Sequence, residues 1–285
     1  MIYVIDLFCG MGGFSQGASQ AGCQVILAID SWQEALDVHR LNHPRCHHLC
    51  MELGCDKKVF ISLLSNFMKT VPMARGDKLH IHASPPCQTL TKTNMYVKDQ
   101  QHGMKLVNWS LDILKNFKPH SWTLEQVPHK LVLSELKRRE LCCVIIKANE
   151  YGVSQTRRRV VAGNIDFEKL TQFKENSEPL SLIMQRLDII PEEGFDHIRN
   201  CGRPLSERKP NGLSSHQDYS KVSYTVTHCF PQFYNISTRK GKVLPLKLFK
   251  ALQTFPESYL TTTKARQMIG NAVPCLLAEK IMYCV

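Results

Sequence analysis

At 285 residues, 43% of them hydrophobic, the chain has apolar material for one large α/β domain, or a domain with a smaller lobe, and is not of disordered composition. It contains no run of ~18 apolar residues, which excludes a membrane-spanning helix, and its start, Met1-Ile2-Tyr3-Val4-Ile5-Asp6, enters a strand without the basic start and small-residue cleavage site of a signal peptide. Twelve cysteines at irregular spacing predict reduced thiols in an intracellular compartment. The net charge is +11, and residues 201–250 hold nine Lys/Arg against two acids, a local surplus of seven that favours a nucleic-acid surface.

Residues 2–8 read as a buried strand. Cys9-Gly10-Met11-Gly12-Gly13-Phe14 is a glycine-rich turn, a helix follows over about 15–21, and residues 24–29 form the next strand. Glycines at such a turn let the backbone approach a ligand closely. Their spacing is not the dinucleotide Gly-x-Gly-x-x-Gly pattern. Asp30 closes the second strand, where an acid can take both hydroxyls of an adenosine ribose, and Ser31 and Trp32 follow to border the base. Helices are predicted over 33–41 and 60–69, with a mixed segment at 46–58 whose first acid is Glu52. The cluster His43, Cys46, His47, His48, Cys50 and Cys55 could suggest zinc, but it has no Cys-x-x-Cys pair and no second ligand pair at finger spacing, so no metal site is expected.

A short strand at 79–83 leads into Ser84-Pro85-Pro86-Cys87-Gln88. The two prolines fix φ and remove two amide donors just before a thiol. A cysteine held so is a candidate nucleophile, although free cysteines are usually inert and buried. The polar stretch from Gln88 to Gly103 shows no helix pattern and reads as a lid, with Gly103 as its hinge. Next come a helix at 106–117, a strand at 121–127 bearing Glu125, a basic helix at 128–140 and a strand at 142–147. The alternation predicts a doubly wound, mostly parallel sheet, in which ligands sit at the carboxyl ends of strands. The glycine turn, Asp30, Cys87 and Glu125 all fall there. If a strand starts at Val153, then Gln155, Arg157 and Arg159 share one face and offer a row of donors. Residues 166–240 are more polar and less periodic and read as the smaller lobe, with a strand and loop over 225–234. A helix is predicted over 246–253. Residues 265–281 read as a turn, with Asn271 in it, followed by a closing helix.

The order Asp6-Leu7-Phe8-Cys9-Gly10-Met11-Gly12-Gly13-Phe14, Pro85-Pro86-Cys87-Gln88, Glu125-Gln126-Val127, Gln155-Thr156-Arg157-Arg158-Arg159 and Gln267-Met268-Ile269-Gly270-Asn271-Ala272-Val273-Pro274 resembles the C5-cytosine DNA methyltransferases from end to end. The resemblance implies a Rossmann-like catalytic domain over 1–165 and 241–285 and a target-recognition lobe over 166–240. It implies S-adenosylmethionine as cofactor, held by Asp6, Phe8, Cys9, Gly10, Gly13, Asp30, Ser31, Glu52, Pro85, Asn271, Ala272 and Val273. Pro86-Cys87 would supply the nucleophile, Glu125 the acid that holds the cytosine, and Gln155, Arg157 and Arg159 the support for the covalent step. Cys87 would add to carbon 6 of a base flipped out of double-stranded DNA, making carbon 5 reactive, and the protein would act on DNA inside the cell as a monomer. Gln126 stands where the family usually has an asparagine that bonds to the proline-cysteine loop. The family's tRNA-methylating branch shares these catalytic residues. A nucleic-acid-binding homologue without catalysis would keep the fold but has no need of Cys87, Glu125 and Arg159, and a dehydrogenase would need the nicotinamide pattern that the Gly10 turn lacks.

Overall fold

The computed structural model describes residues 1–86, 100–200, 215–227, 231–262 and 265–285. Its first half alternates strand and helix: β1 (Ile2–Leu7), α1 (Gly13–Gln20), β2 (Gln24–Asp30), α2 (Gln33–Asn42), β3 (His47–Cys50), α3 (Lys57–Lys69), β4 (Lys78–Ala83), α4 (Gln100–Phe117), β5 (Ser121–Gln126), α5 (Lys130–Arg138), β6 (Cys143–Lys147) and β7 (Arg158–Gly163). These strands form one sheet in the order β3-β2-β1-β4-β5-β7-β6. All pairs from β3 to β5 are parallel, and β7 runs antiparallel between β5 and β6. The predicted doubly wound, mostly parallel sheet is what forms. Its central strands are buried on both faces, which is why they read as continuous apolar runs.

The second half adds α6 (Phe167–Gln172), α7 (Leu180–Arg186), β8 (His197–Asn200), β9 (Ser215–Asp218), β10 (Gln232–Asn235), β11 (Lys240–Val243), α8 (Leu246–Leu252), α9 (Ala265–Asn271) and α10 (Cys275–Met282). Strands β8 to β11 make a separate antiparallel sheet, ordered β11-β10-β8-β9 and reaching to Val243. One apolar cluster joins the two halves, with Met11, Ala35 and Val38 packed in common with Ile198, Val226, Phe233 and Phe249.

Four expectations change. Polar β3 (His-His-Leu-Cys) lay hidden in the mixed segment; among the described residues it pairs with β2 alone, as a short edge strand. Helix α4 begins at Gln100, so Gly103 lies inside a helix and is not a hinge between elements. Its stripe Met104, Val107 and Leu111 packs on β5 and α5 and carries the helix back beyond residue 106. Strand β7 starts at Arg158 rather than Val153, because Gln155 N–H bonds Val153 O and Arg157 N–H bonds Gln155 O; these tight local turns keep 153–157 out of the ladder. Residues 265–271 are helical, so Asn271 closes α9 instead of standing in an open turn.

Candidate active site

The turn after β1 is bent by left-handed backbone at Phe8 (φ 60°), Gly10 (φ 53°) and Gly12 (φ 97°). A Cβ built on Gly10 meets nothing within 4 Å, so the turn faces open space there. A Cβ on Gly13 would stand 2.3 Å from Val273 O and 2.9 Å from Ala272 Cβ. Gly13 therefore contributes by close packing, and it joins the first turn to Val273, 260 residues later in the chain. Gly17 repeats the device one turn on, against Cys275 O of α10.

Asp30 holds the turn from the next strand. Its Oδ2 accepts Gly10 N–H and its Oδ1 accepts Trp32 N–H, both at 2.8 Å, and burial raises its pKa above the ordinary carboxylate value. Each oxygen keeps further acceptor capacity. Ser31 and Glu52 are exposed beside this edge, and Phe8 is half-buried with its ring against Trp109, 6.4 Å between centroids. Asp6 and Cys9 were expected to touch a cofactor, but both are buried beneath the turn. Asp6 accepts Ser15 Oγ at 2.7 Å, and burial pushes its carboxyl up to about 7. Burial pushes the Cys9 thiol up as well.

Ser84 to Pro86 follow β4. Ser84 N–H bonds Leu7 O at 3.2 Å and its hydroxyl donates to Phe8 O at 3.3 Å, so this turn is fastened to the end of β1. Pro85 is buried and Pro86 exposed. Cys87 and Gln88, like the rest of 87–99, lie outside the described residues, as do Arg203, Arg208 and Lys209 of the basic stretch. Gln126 reaches back to the proline turn. Its Nε2 donates to Pro85 O at 2.9 Å, and its Oε1 accepts Val127 N–H at 2.7 Å. The longer amide thus makes the bond that links strand β5 to this turn.

Glu125, 6% exposed, sits one residue before Gln126. Arg159 Nε lies 2.9 Å from its Oε1; the N–H is not aligned for a hydrogen bond, so the contact is a charge pair. Because β7 is antiparallel, its first residues come to the carboxyl edge of the sheet, which is how Arg159 meets Glu125. Arg157 and Gln155 go elsewhere. Arg157 is buried, with Nη1 donating to Gly270 O at 3.2 Å and Val226 O at 3.5 Å. Gln155 is fully buried; its Nε2 donates to Leu252 O and Gln253 Oε1, and its Oε1 accepts Val226 N–H. These two fasten the site instead of lining it. The partner of Gln155, Gln253, whose Nε2 donates on to Ile269 O at 2.6 Å and Ala272 O at 3.1 Å, went unnoticed in the sequence. A polar residue ending a predicted helix gives no sign that its acceptors come from 16 to 19 residues away. Asn271 is exposed, Ala272 half-buried and Val273 buried.

The family model described as C-5 cytosine-specific DNA methylase matches residues 2–240. The type II methyltransferase M.HindV of Haemophilus influenzae is 27% identical over 96% of this chain and 93% of its own length. DNA (cytosine-5)-methyltransferase 1 of Gallus gallus is 31% identical over 60% of this chain, which is only 12% of that protein. The S. pombe Dnmt2 methyltransferase structure superposes with a TM-score of 0.67 over 98% of this chain and 96% of that one, at 14% identity, which speaks to fold alone. The match over most of the chain, with the sheet order and the site geometry above, establishes that the protein belongs to the C-5 cytosine-specific DNA methylase family.

Proposed function

We propose that the protein transfers a methyl group from S-adenosylmethionine to carbon 5 of a flipped-out cytosine in double-stranded DNA, through a covalent Cys87 adduct at carbon 6. The observation that supports this best is the meeting of Glu125 with Arg159, 2.9 Å apart, on the strand beside the clamped Ser84–Pro86 turn that leads into Cys87.

The first turn fits the cofactor: open space at Gly10, acceptor capacity on Asp30, and exposed Ser31 and Glu52 at the same edge. In this reading Asp30 takes the ribose hydroxyls, Glu52 meets the adenine amino group, and Phe8, Pro85, Asn271, Ala272 and Val273 border the site. Asp6, Cys9 and Gly13 shape the turn from below. When bound, the cofactor supplies an electrophilic methyl group.

The chain's own residues activate the base. The Cys87 sulfur bonds carbon 6, and the electron pair of the 5,6 double bond becomes available at carbon 5. An acid at Glu125 supplies a proton or hydrogen bond to ring nitrogen 3. Arg159 orients Glu125 and balances charge at the ring carbonyl. A water molecule acting as base takes the carbon-5 proton, the electrons of that C–H bond re-form the 5,6 double bond, and the carbon–sulfur bond breaks with its electrons returning to sulfur, which restores the ring and the thiolate. The second sheet, with Arg199 and Lys240, belongs to the lobe that would read the target, which the sheet carries from 166–240 on to Val243. The protein works as a monomer, inside the cell where DNA is held.

Labelled methyl transfer to DNA and to tRNA, run side by side, tests the substrate; activity on tRNA alone would overturn the DNA reading. Duplex DNA carrying 5-fluorocytosine should trap the wild-type chain covalently, and Cys87→Ser should not be trapped. Absence of trapping in an actively methylating wild type would sink the Cys87 mechanism.

A further inference from the structure

The fold assembles a ligand set that linear spacing conceals. His39, in the last turn of α2, faces Cys46 and His48 at the start of β3, and the three donor atoms all lie within 4.8 Å of one another. His39 Nδ1 and His48 Nε2 are 2.8 Å apart. His39 and Cys46 are buried, while His48 is half-buried on the edge strand, which leaves an entry route from solvent.

We propose that His39, Cys46 and His48 form a binding site for a zinc-class divalent cation. Two imidazoles and one thiolate suit a borderline-soft ion. In a tetrahedral zinc site the two nitrogens stand about 3.3 Å apart, so His48 on its short edge strand has only to open by about half an ångström. The surroundings also match those of a ligand histidine. His39 Nε2 lies 2.9 Å from Ser15 Oγ, and that hydroxyl donates to Asp6 Oδ2 at 2.7 Å. With Ser15 donating to the carboxylate, His39 Nε2–H donates to Ser15, and the Nδ1 lone pair points at His48. A ring N–H held through a hydroxyl by a carboxylate fixes tautomer and orientation, as partners behind metal-bound histidines do. The ring centroid of His43 is 4.6 Å from that of His39.

The site is separate from Glu125, Arg159 and the proline turn. Its place is behind the first turn, since His39 Cδ2 would lie 2.8 Å from a Cβ on Gly12. Bound metal would therefore staple the polar edge strand β3 and the end of α2 onto the glycine turn.

The test uses the full chain, stripped with chelator and titrated with Co²⁺ and then Zn²⁺ as the only added metals. One equivalent of Co²⁺ should give a thiolate-to-cobalt charge-transfer band with intense tetrahedral visible bands, and Zn²⁺ should displace it. Cys46→Ser should lose the charge-transfer band, and His48→Gln, at a half-exposed position, should lose saturable binding while keeping the wild-type circular dichroism. The double variant Cys142→Ser/Cys143→Ser, at exposed cysteines outside the site, should bind as wild type. Absence of the band, its survival in Cys46→Ser, or its loss only in the Cys142/Cys143 variant overturns the assignment.

Discussion

Replacing Gln126 separates fastening of the proline turn from cofactor binding. Its side chain is 1% exposed and both ends are engaged, at 2.9 Å with Pro85 O and 2.7 Å with Val127 N–H. Gln126→Leu keeps most of the volume and removes both bonds. A buried carbonyl and a half-buried N–H are then left without partners at about 1–3 kcal/mol each, so the loss of stability should be roughly 2–6 kcal/mol. Gln126→Asn is one methylene short and keeps one bond, so its loss should be about half as large. For methyl transfer, a shift of Cys87 by about 1 Å costs about 10²-fold in kcat, whereas KM for the cofactor should change far less, because the bond to Pro85 is to its backbone oxygen and Gln126 makes no bond to Asp30 or the Gly10 turn among the described residues. Urea denaturation gives the stability term, and initial-rate methyl transfer at saturating substrate gives the kinetic one. A Gln126→Leu enzyme with wild-type kcat would refute the reasoning, as would one whose only change is a raised cofactor KM.

Three further substitutions probe the parts around it. Glu125→Gln should lower kcat at least about 10²-fold while leaving cofactor binding intact, read by single-turnover transfer beside equilibrium binding; an unchanged rate would remove Glu125 from the acid's role. Gly13→Ala drives a methyl into Val273 O and Ala272, contacts of 2.3 and 2.9 Å, and should cost about 1–3 kcal/mol and raise the cofactor KM, with unaltered melting counting against the close packing. Burial raises the Asp6 carboxyl from 3.8 to about 7 in the folded chain. The folded state therefore keeps a proton that the unfolded chain gives up near pH 4. The linked stability is fully present below about pH 4 and is lost as pH rises through about 7. Asp6→Asn cannot titrate, so the fall in stability between pH 4 and pH 8 should shrink by about 2–4 kcal/mol; equal falls in both proteins, by denaturant melts at the two pH values, would contradict the buried-acid account.

What was legible in the chain is what is local or periodic. Strands β1 and β2 are near-continuous apolar runs, β4 and β5 are short stretches set between helical patterns, and the motifs that end all four fall at one edge because parallel strands share a direction. Strand β3 escaped because an edge strand of two histidines, a leucine and a cysteine lacks that apolar mark. The inward turn of Gln155 escaped because the i→i+2 bonds around it are invisible to a reading by alternation. Gln253, His39 and Ser15 carry no linear sign at all, since each gains its meaning from a partner elsewhere in the chain: Gln253 from Gln155 and Ala272, His39 from His48 and Ser15, and Ser15 from Asp6.

The fastening residues also explain why the last motif stands at the far end of the chain yet serves the first. Gly13 and Gly17 let α1 approach the 272–275 backbone more closely than any side chain allows. That approach fixes where 272–275 sits, and Gln253 then holds Ile269 O and Ala272 O from the other side. Gln155 couples Gln253 to Val226, and Arg157 couples Val226 to Gly270. The result is a closed circuit through the first turn, the segment before β7, the second half's backbone and α9. Arg159 leaves that circuit two residues later and enters β7 beside Glu125. The pair at the sheet edge thus inherits its position from buried amides whose removal would be felt as a shift of Arg159. Such a shift is the one displacement that an ion pair, unaligned for hydrogen bonding, does little to resist by itself.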